Sequence, residues 1–301
     1  MAARIGVVLG SGAARGWAHI GVLQALAELG IRPAVVCGTS IGALVGAAFV
    51  TGRLETLTSR MKEFGRGDVA RLLDPRLARG GLIEGRRIDA FLESLGIEGA
   101  IESLNFRFGA VATDLVSGRE VWLQSGPIGH AVRASIGMPG VFSPVRHDEA
   151  WLVDGGLVDP VPVSLARALG ADIVIAVDLN ARLLGRRLAA DAQAVASEPA
   201  ALPSRIPQWL KKAGGPLLAG ALESGPGYPS YFEVLANTLN IMQDRITRAR
   251  LAGDPPDILL QPILTDFSWF DFHRASDAIA EGVACVESAQ VALRRACKPF
   301  L

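Results

Sequence analysis

Residues 35–47 read VVCGTSIGALVGA. A short apolar run ends in glycine, a serine stands between two glycines, and a small-residue segment follows. Val35–Cys37 belongs to a stretch, 31–38, that predicts a buried strand, and IGALVGAAFVTG, residues 41–52, predicts a helix stopped by Gly52. GTSIG, Gly38–Gly42, matches G-x-S-x-G in the strand–turn–helix setting that a nucleophile elbow requires. At such a turn the serine backbone is strained, and Gly38 and Gly42 remove side chains that would collide across it. The Ser40 hydroxyl then stands at a helix N-terminus, where free N–H groups and the helix dipole favour developing negative charge. The competing reading makes Ser40 a plain N-cap and the glycines packing residues.

Upstream, IGVVLG (5–10) predicts a strand and WAHIGVLQALAELG (17–30) a helix ended by Gly30. This βαβα opening argues for an α/β fold with three layers, α/β/α, around a mostly parallel sheet. Downstream, residues 53–105 read as helices and loops. FRFGAVATDL (106–115) and REVWLQ (119–124) read as paired strands, and PIGHAVRASIGMPG (127–140) as a helix. AWLVDGGLVDPVPV (150–163) predicts a strand, a glycine turn and a proline-blocked exit, and residues 163–180 predict a helix and a strand. Residues 181–230 are rich in Ala, Pro and Gly and form an excursion. A long helix over 231–253, a late strand over 257–264 and one C-terminal helix over 274–296 complete a single expected domain, 1–301.

Of the 301 residues half are hydrophobic, enough for a large core. Lys+Arg and Asp+Glu both number 30, so no basic surface is expected for nucleic acid. Cys37, Cys285 and Cys297 show neither metal spacing nor a disulfide framework, which suits a reducing cytoplasmic compartment. The N-terminal apolar run is too short for a signal peptide, and no run reaches the roughly 18 residues of a membrane span.

A serine needs a base. His19 and His130 fall within helices, His147 in the polar turn RHDEA, and His273 after an aromatic cluster; none follows an acid in the Ser…Asp…His order of an α/β-hydrolase. Asp154 of WLVDGG is the better candidate, because Gly155 and Gly156 turn the chain sharply and leave the carboxylate uncovered. Asp-Gly is also a common plain turn. GSGAARG, Gly10–Gly16, exposes successive N–H groups at a helix start and could take an oxyanion or a phosphate. It misses the dinucleotide pattern, since Arg15 stands where the third glycine belongs and Gly16 comes one residue late.

These three elements in this order resemble the patatin-like phospholipase family, in particular its bacterial branch similar to the neuropathy target esterase catalytic domain. The resemblance runs from about Arg4 to Asn180, with a weaker echo in FDFHRASDAIAEG (270–282). It implies a Ser–Asp dyad without histidine, in which Ser40 is the nucleophile and Asp154 the base. It implies an oxyanion loop over Gly12, Ala13, Ala14, Arg15 and Gly16, with N–H donors from Gly12, Ala13 and Ile41. It implies hydrolysis of phospholipid or lysophospholipid acyl esters through an acyl-enzyme, with no cofactor and no metal, and with peripheral contact at the inner face of a membrane. The family loop reads G-G-G-x-R/K-G, so Ser11 and Ala13 replace two glycines here, a change expected to be tolerated at ordinary φ angles. Arg15 is expected to fix the loop, to meet an anionic head group or to form a plain salt bridge. Arg205–Gly220, with Trp209, Lys211 and Lys212, reads as an interfacial anchor, a lid or an ordinary surface helix, and FSWFDF (267–272) as acyl-channel lining or core. Rival readings are an acyltransferase, which usually has histidine where Thr39 precedes Ser40, a regulatory scaffold, and a nucleotide-binding module.

Overall fold

The computed structural model describes residues 4–65, 86–181 and 231–298. The segment 205–220, expected to be an interfacial anchor, a lid or an ordinary surface helix, and nearly all of the 181–230 excursion lie outside them. Four strands, β1 (Ile5–Leu9), β2 (Val35–Thr39), β3 (Arg107–Asp114) and β7 (Ile173–Val177), form the parallel centre of an eight-stranded sheet. Its order is β5-β6-β3-β2-β1-β7-β8, with β4 (Glu120–Leu123) also paired to β3. β8 (Ile258–Leu260) runs parallel to β7; β6 (Ala150–Asp154) and β4 run antiparallel to β3, and β5 (Val145–His147) runs antiparallel to β6.

Strand parity builds the layers, because successive side chains leave opposite faces. Val7 and Leu9, Val36, and Ile175 and Val177 enter one apolar cluster together with helices α1 (Ala18–Glu28), α2 (Ile41–Val50) and α8 (Ala275–Ser288). Val8, Val35, Cys37, Val174 and Ala176 enter a second cluster with α6 (Val163–Ala168). The result is the mixed, mostly parallel α/β/α sandwich expected from the βαβα opening. The remaining helices are α3 (Leu54–Lys62), α4 (Arg86–Ser94), α5 (Ile128–Ser135), α7 (Tyr231–Gly253) and α9 (Gln290–Cys297).

Two local readings change. The RHDEA segment is a β-hairpin, so His147 sits on β5 and only the two-residue tip, Asp148 and Glu149, is a turn, with Asp148 at φ 49°. A three-residue strand leaves too little alternation to detect. The single C-terminal helix is two, α8 and α9, broken at Ala289, whose N–H reaches back to Cys285 and Val286 carbonyls. Among the described residues no helix is long and apolar enough to cross a membrane.

The register of β3 positions the site. Residues 110–113 of β3 pair with β4 on one edge. On the other edge β2 pairs up to Val111, opposite Thr39, and β6 then takes over at Ala112, opposite Asp154. The C-terminal ends of β2 and β6 therefore meet head to head on adjacent rungs of one strand.

Candidate active site

Ser40 follows β2 at that junction and adopts φ 57°, ψ −123° before α2 begins. A left-handed backbone at a serine costs of order 1–3 kcal/mol and persists only where its surroundings enforce it. Here they do. A methyl group on Gly42 would lie 1.9 Å from the Leu9 carbonyl oxygen, and one on Gly38 would lie 2.4 Å from the Gly42 backbone. The Ser40 N–H donates to Ser135 Oγ at 2.9 Å, and that hydroxyl donates to the Val111 carbonyl at 2.6 Å. α5 thereby braces the elbow.

Asp154 closes β6. Its Oδ2 accepts the Ser40 hydroxyl proton at 2.6 Å, and its Oδ1 accepts the Gly156 N–H at 2.7 Å. Its own N–H donates to the Gly137 carbonyl, and its carbonyl accepts from Thr113 Oγ1. Asp154 is 4 % exposed. Burial raises its pKa to about 6, against the opposing hydrogen bonds from Ser40 and Gly156. Gly155 lies against β3, where a methyl group would come 2.2 Å from the Val111 oxygen.

The loop between β1 and α1 forms the facing wall. Ser11, Gly12 and Ala13 line a cleft with Ser40 and Asp154. The N–H of Ala14 donates to the Trp269 carbonyl, and that of Arg15 to the Gly12 carbonyl, so these two residues of the expected loop turn their N–H groups inward. Ile41 opens α2, where helix geometry leaves its N–H without an intrahelical acceptor. Ala13 has φ 50°. The expectation of ordinary φ values thus fails at this position, since a left-handed residue explains why glycine suits it. Arg15 is 1 % exposed; its Nε donates to the Gly12 carbonyl and its Nη2 to Asn240 Oδ1. It faces the protein interior, away from any head group. Gly10 donates its N–H to the Val177 carbonyl, and Gly16 gives room to Ile41, whose side chain would lie 2.1 Å from a methyl group there.

The histidines are engaged elsewhere. His19 is buried, its Nε2 bonds the Gly10 carbonyl at 2.7 Å, and burial lowers its pKa to about 4. His130 and His147 bond each other at 3.2 Å. Thr39 Oγ1 is committed to the Asp159 carbonyl. Asp159, in the second layer, is itself pushed up to about 7 by burial. In the FSWFDF segment, Trp269 lines the cleft, Phe267 is buried in the first cluster, and Phe272 meets the Trp17 ring edge-on. Met138, Leu157 and Leu239 add apolar walls. Among the described residues no group of three or more His, Cys, Asp or Glu is placed to hold a metal ion.

Sequence reading missed three contributors: Ser135, and Asn240 and Gln243 of α7. Asn240, Gln243, Asp244 and Thr247 are all buried and share one face of α7, and that polar stripe at helical spacing was the available signal.

An elbow-borne serine facing a carboxylate, at the strand ends of a helix-covered parallel sheet, defines a class of α/β/α proteins with a buried hydroxyl–carboxyl pair. The particular family follows from comparison: the patatin-like phospholipase profile matches residues 7–167, and the chain belongs to that family. An uncharacterized NTE family protein of Mycobacterium tuberculosis is 35 % identical, covering 95 % of this chain and 91 % of its own length. Patatin-like phospholipase domain-containing protein 7 of Mus musculus is 33 % identical over 59 % of this chain and 14 % of its own. The crystal structure of VipD from Legionella pneumophila superposes with a TM-score of 0.45 at 13 % identity, over 98 % of this chain and 67 % of that one. Family membership points to hydrolysis of lipid acyl esters.

Proposed function

We propose that the chain is a serine hydrolase of phospholipid or lysophospholipid acyl esters, working through a Ser40–Asp154 dyad in a single catalytic domain without cofactor or metal. The observation that carries this reading is the 2.6 Å hydrogen bond from Ser40 Oγ to Asp154 Oδ2, with every described histidine outside it. Asp154 takes the Ser40 proton as Oγ forms its bond to the ester carbonyl carbon. The carbonyl π electrons move to oxygen, where the N–H groups of Gly12, Ala13 and Ile41 receive the charge. The tetrahedral adduct collapses, the ester C–O bond breaks, and the leaving alkoxide takes the proton from Asp154. Water then attacks the acyl-enzyme, gives its proton to Asp154, and frees the acid as Ser40 recovers its proton.

A carboxylate is a weak base beside imidazole, and the raised pKa of Asp154 narrows that gap. Met138, Leu157, Leu239 and Trp269 suit an acyl chain. Cys37 and Cys297 are free thiols, which fits work in the cytoplasm, with the substrate met at the inner membrane face. The test is hydrolysis of a p-nitrophenyl acyl ester and labelling by a fluorophosphonate. Ser40→Ala should abolish both, and Asp154→Asn should cut turnover by on the order of a thousandfold. Equal turnover by all three proteins refutes the dyad. Comparing diacyl and monoacyl phospholipids then fixes the substrate class.

A further inference from the structure

We infer that Asn240 and Gln243 of α7 are positioning residues for the Gly10–Gly16 loop, a role that rests on the ester-hydrolase reading above. The loop needs an external hold. Ala13 at φ 50° occupies a region that costs an alanine about 1–2 kcal/mol. Local bonds, from the Arg15 N–H and Nε to the Gly12 carbonyl, curl the loop but do not anchor it to the fold.

The loop backbone is tied to the fold by the Gly10, Ser11 and Ala14 N–H groups, which donate to the Val177, Pro160 and Trp269 carbonyls, and by His19 Nε2 and Asn180 Nδ2 on the Gly10 and Ser11 carbonyls; the side chains of Ser11 and Arg15 are held by α7. Ser11 Oγ donates to Gln243 Oε1 at 2.9 Å, and Arg15 Nη2 donates to Asn240 Oδ1 at 2.9 Å. Asn240 and Gln243 are three residues apart and so share one helix face. Each acceptor oxygen takes a second donor that fixes its amide: Trp269 Nε1 to Asn240 Oδ1 at 2.6 Å, and Asn180 Nδ2 to Gln243 Oε1 at 3.0 Å. The polar composition of the buried α7 face has its reason here. A helix that merely covered a core would present apolar residues, because buried amides cost free energy unless bonded. Ser11 is likewise explained, since glycine at that position has no hydroxyl to donate to Gln243. The two amides act through Ser11 and Arg15, and the residues whose N–H groups meet the oxyanion, Gly12 and Ala13, lie between those two anchors.

The experiment measures kcat and KM for p-nitrophenyl butyrate, with melting temperature and amide hydrogen exchange over residues 10–16. The proteins are wild type, Ser11→Ala, Gln243→Leu, the double variant, Ser11→Thr and Ser40→Ala. Ser11→Ala and Gln243→Leu should each lower kcat about tenfold, less than the hundred- to thousandfold lost with a whole oxyanion donor, with KM within about twofold. The double variant should be no worse than the poorer single one, Ser11→Thr should recover most of kcat, and exchange at residues 12 and 13 should quicken. Unchanged kcat and exchange in folded Ser11→Ala, additive losses in the double variant, or a rise in KM alone would each overturn the positioning role. Hydrolysis surviving in Ser40→Ala would instead overturn the hydrolase reading, and the exchange data would still decide whether α7 holds the loop.

Discussion

Two turns face each other across the Ser40 hydroxyl, and they are built on opposite plans. The GTSIG elbow is made by five consecutive residues whose glycines let β2, α2 and the Leu9 carbonyl close on one another. The GSGAARG loop is held by groups far along the chain: the Val177, Pro160 and Trp269 carbonyls take its backbone N–H groups, and α7 takes its side chains, with sequence separations of 232 for Ser11–Gln243 and 225 for Arg15–Asn240. The elbow's close approach is written into its own glycines, with β1 packed against Gly42 and α5 bracing the Ser40 N–H through Ser135. A turn held by a distant helix keeps its shape only while that helix is docked. The charge-accepting half of the site therefore depends on tertiary packing more than the nucleophilic half does.

The largest effect should come from attacking the local plan. Gly42→Ala sets a methyl group 1.9 Å from a backbone oxygen that cannot rotate away. Melting should drop by on the order of 10 °C, with hydrolysis lost, as read by thermal scans and ester assay. A variant with native melting would show the elbow to be looser than its geometry indicates.

Asp154 comes next, because its pKa stands at about 6 through burial. A buried acid with a raised pKa favours the folded state while protonated. Its contribution is full below about pH 4 and is lost as pH rises through about 6, by about 3 kcal/mol at most. Hydrolysis needs the ionised form, so activity should climb through about pH 6 while this contribution falls. Asp154→Asn should melt higher than wild type at pH 7.5 while turning over on the order of a thousandfold more slowly, and a lower melting temperature there would contradict the burial argument.

Ser135→Ala leaves the Ser40 N–H and the Val111 carbonyl without their shared partner. A loss of about 1–3 kcal/mol in denaturant titration is expected, with kcat reduced about tenfold. The smallest effect falls on the distant plan: Ala13→Gly relieves a left-handed alanine but loosens the unfolded chain, for a net gain under about 1 kcal/mol with kcat within twofold.

Much of this was legible in the residues themselves. Ser40 and its helix follow from GTSIG, and Asp154 was singled out by chemistry and its following glycines. Their meeting was not legible, because it depends on β2 and β6 ending on adjacent rungs of β3, and pairing register leaves no mark on a single strand. β5 was missed because three residues carry too little pattern. Ser135 sits inside a helix of ordinary appearance, and its importance comes from the strand end beneath it.

The amino-acid order by itself determined the alternation of strands and helices, the two faces of the sheet, and the strained serine, because these follow from side-chain periodicity and from where Cβ atoms are absent. Folding in three dimensions decided which carboxylate meets that serine, how acidic it is, and what steadies the opposing loop. Those depend on distances between segments far apart in the chain and on the removal of water around them, and both exist only once the layers have closed.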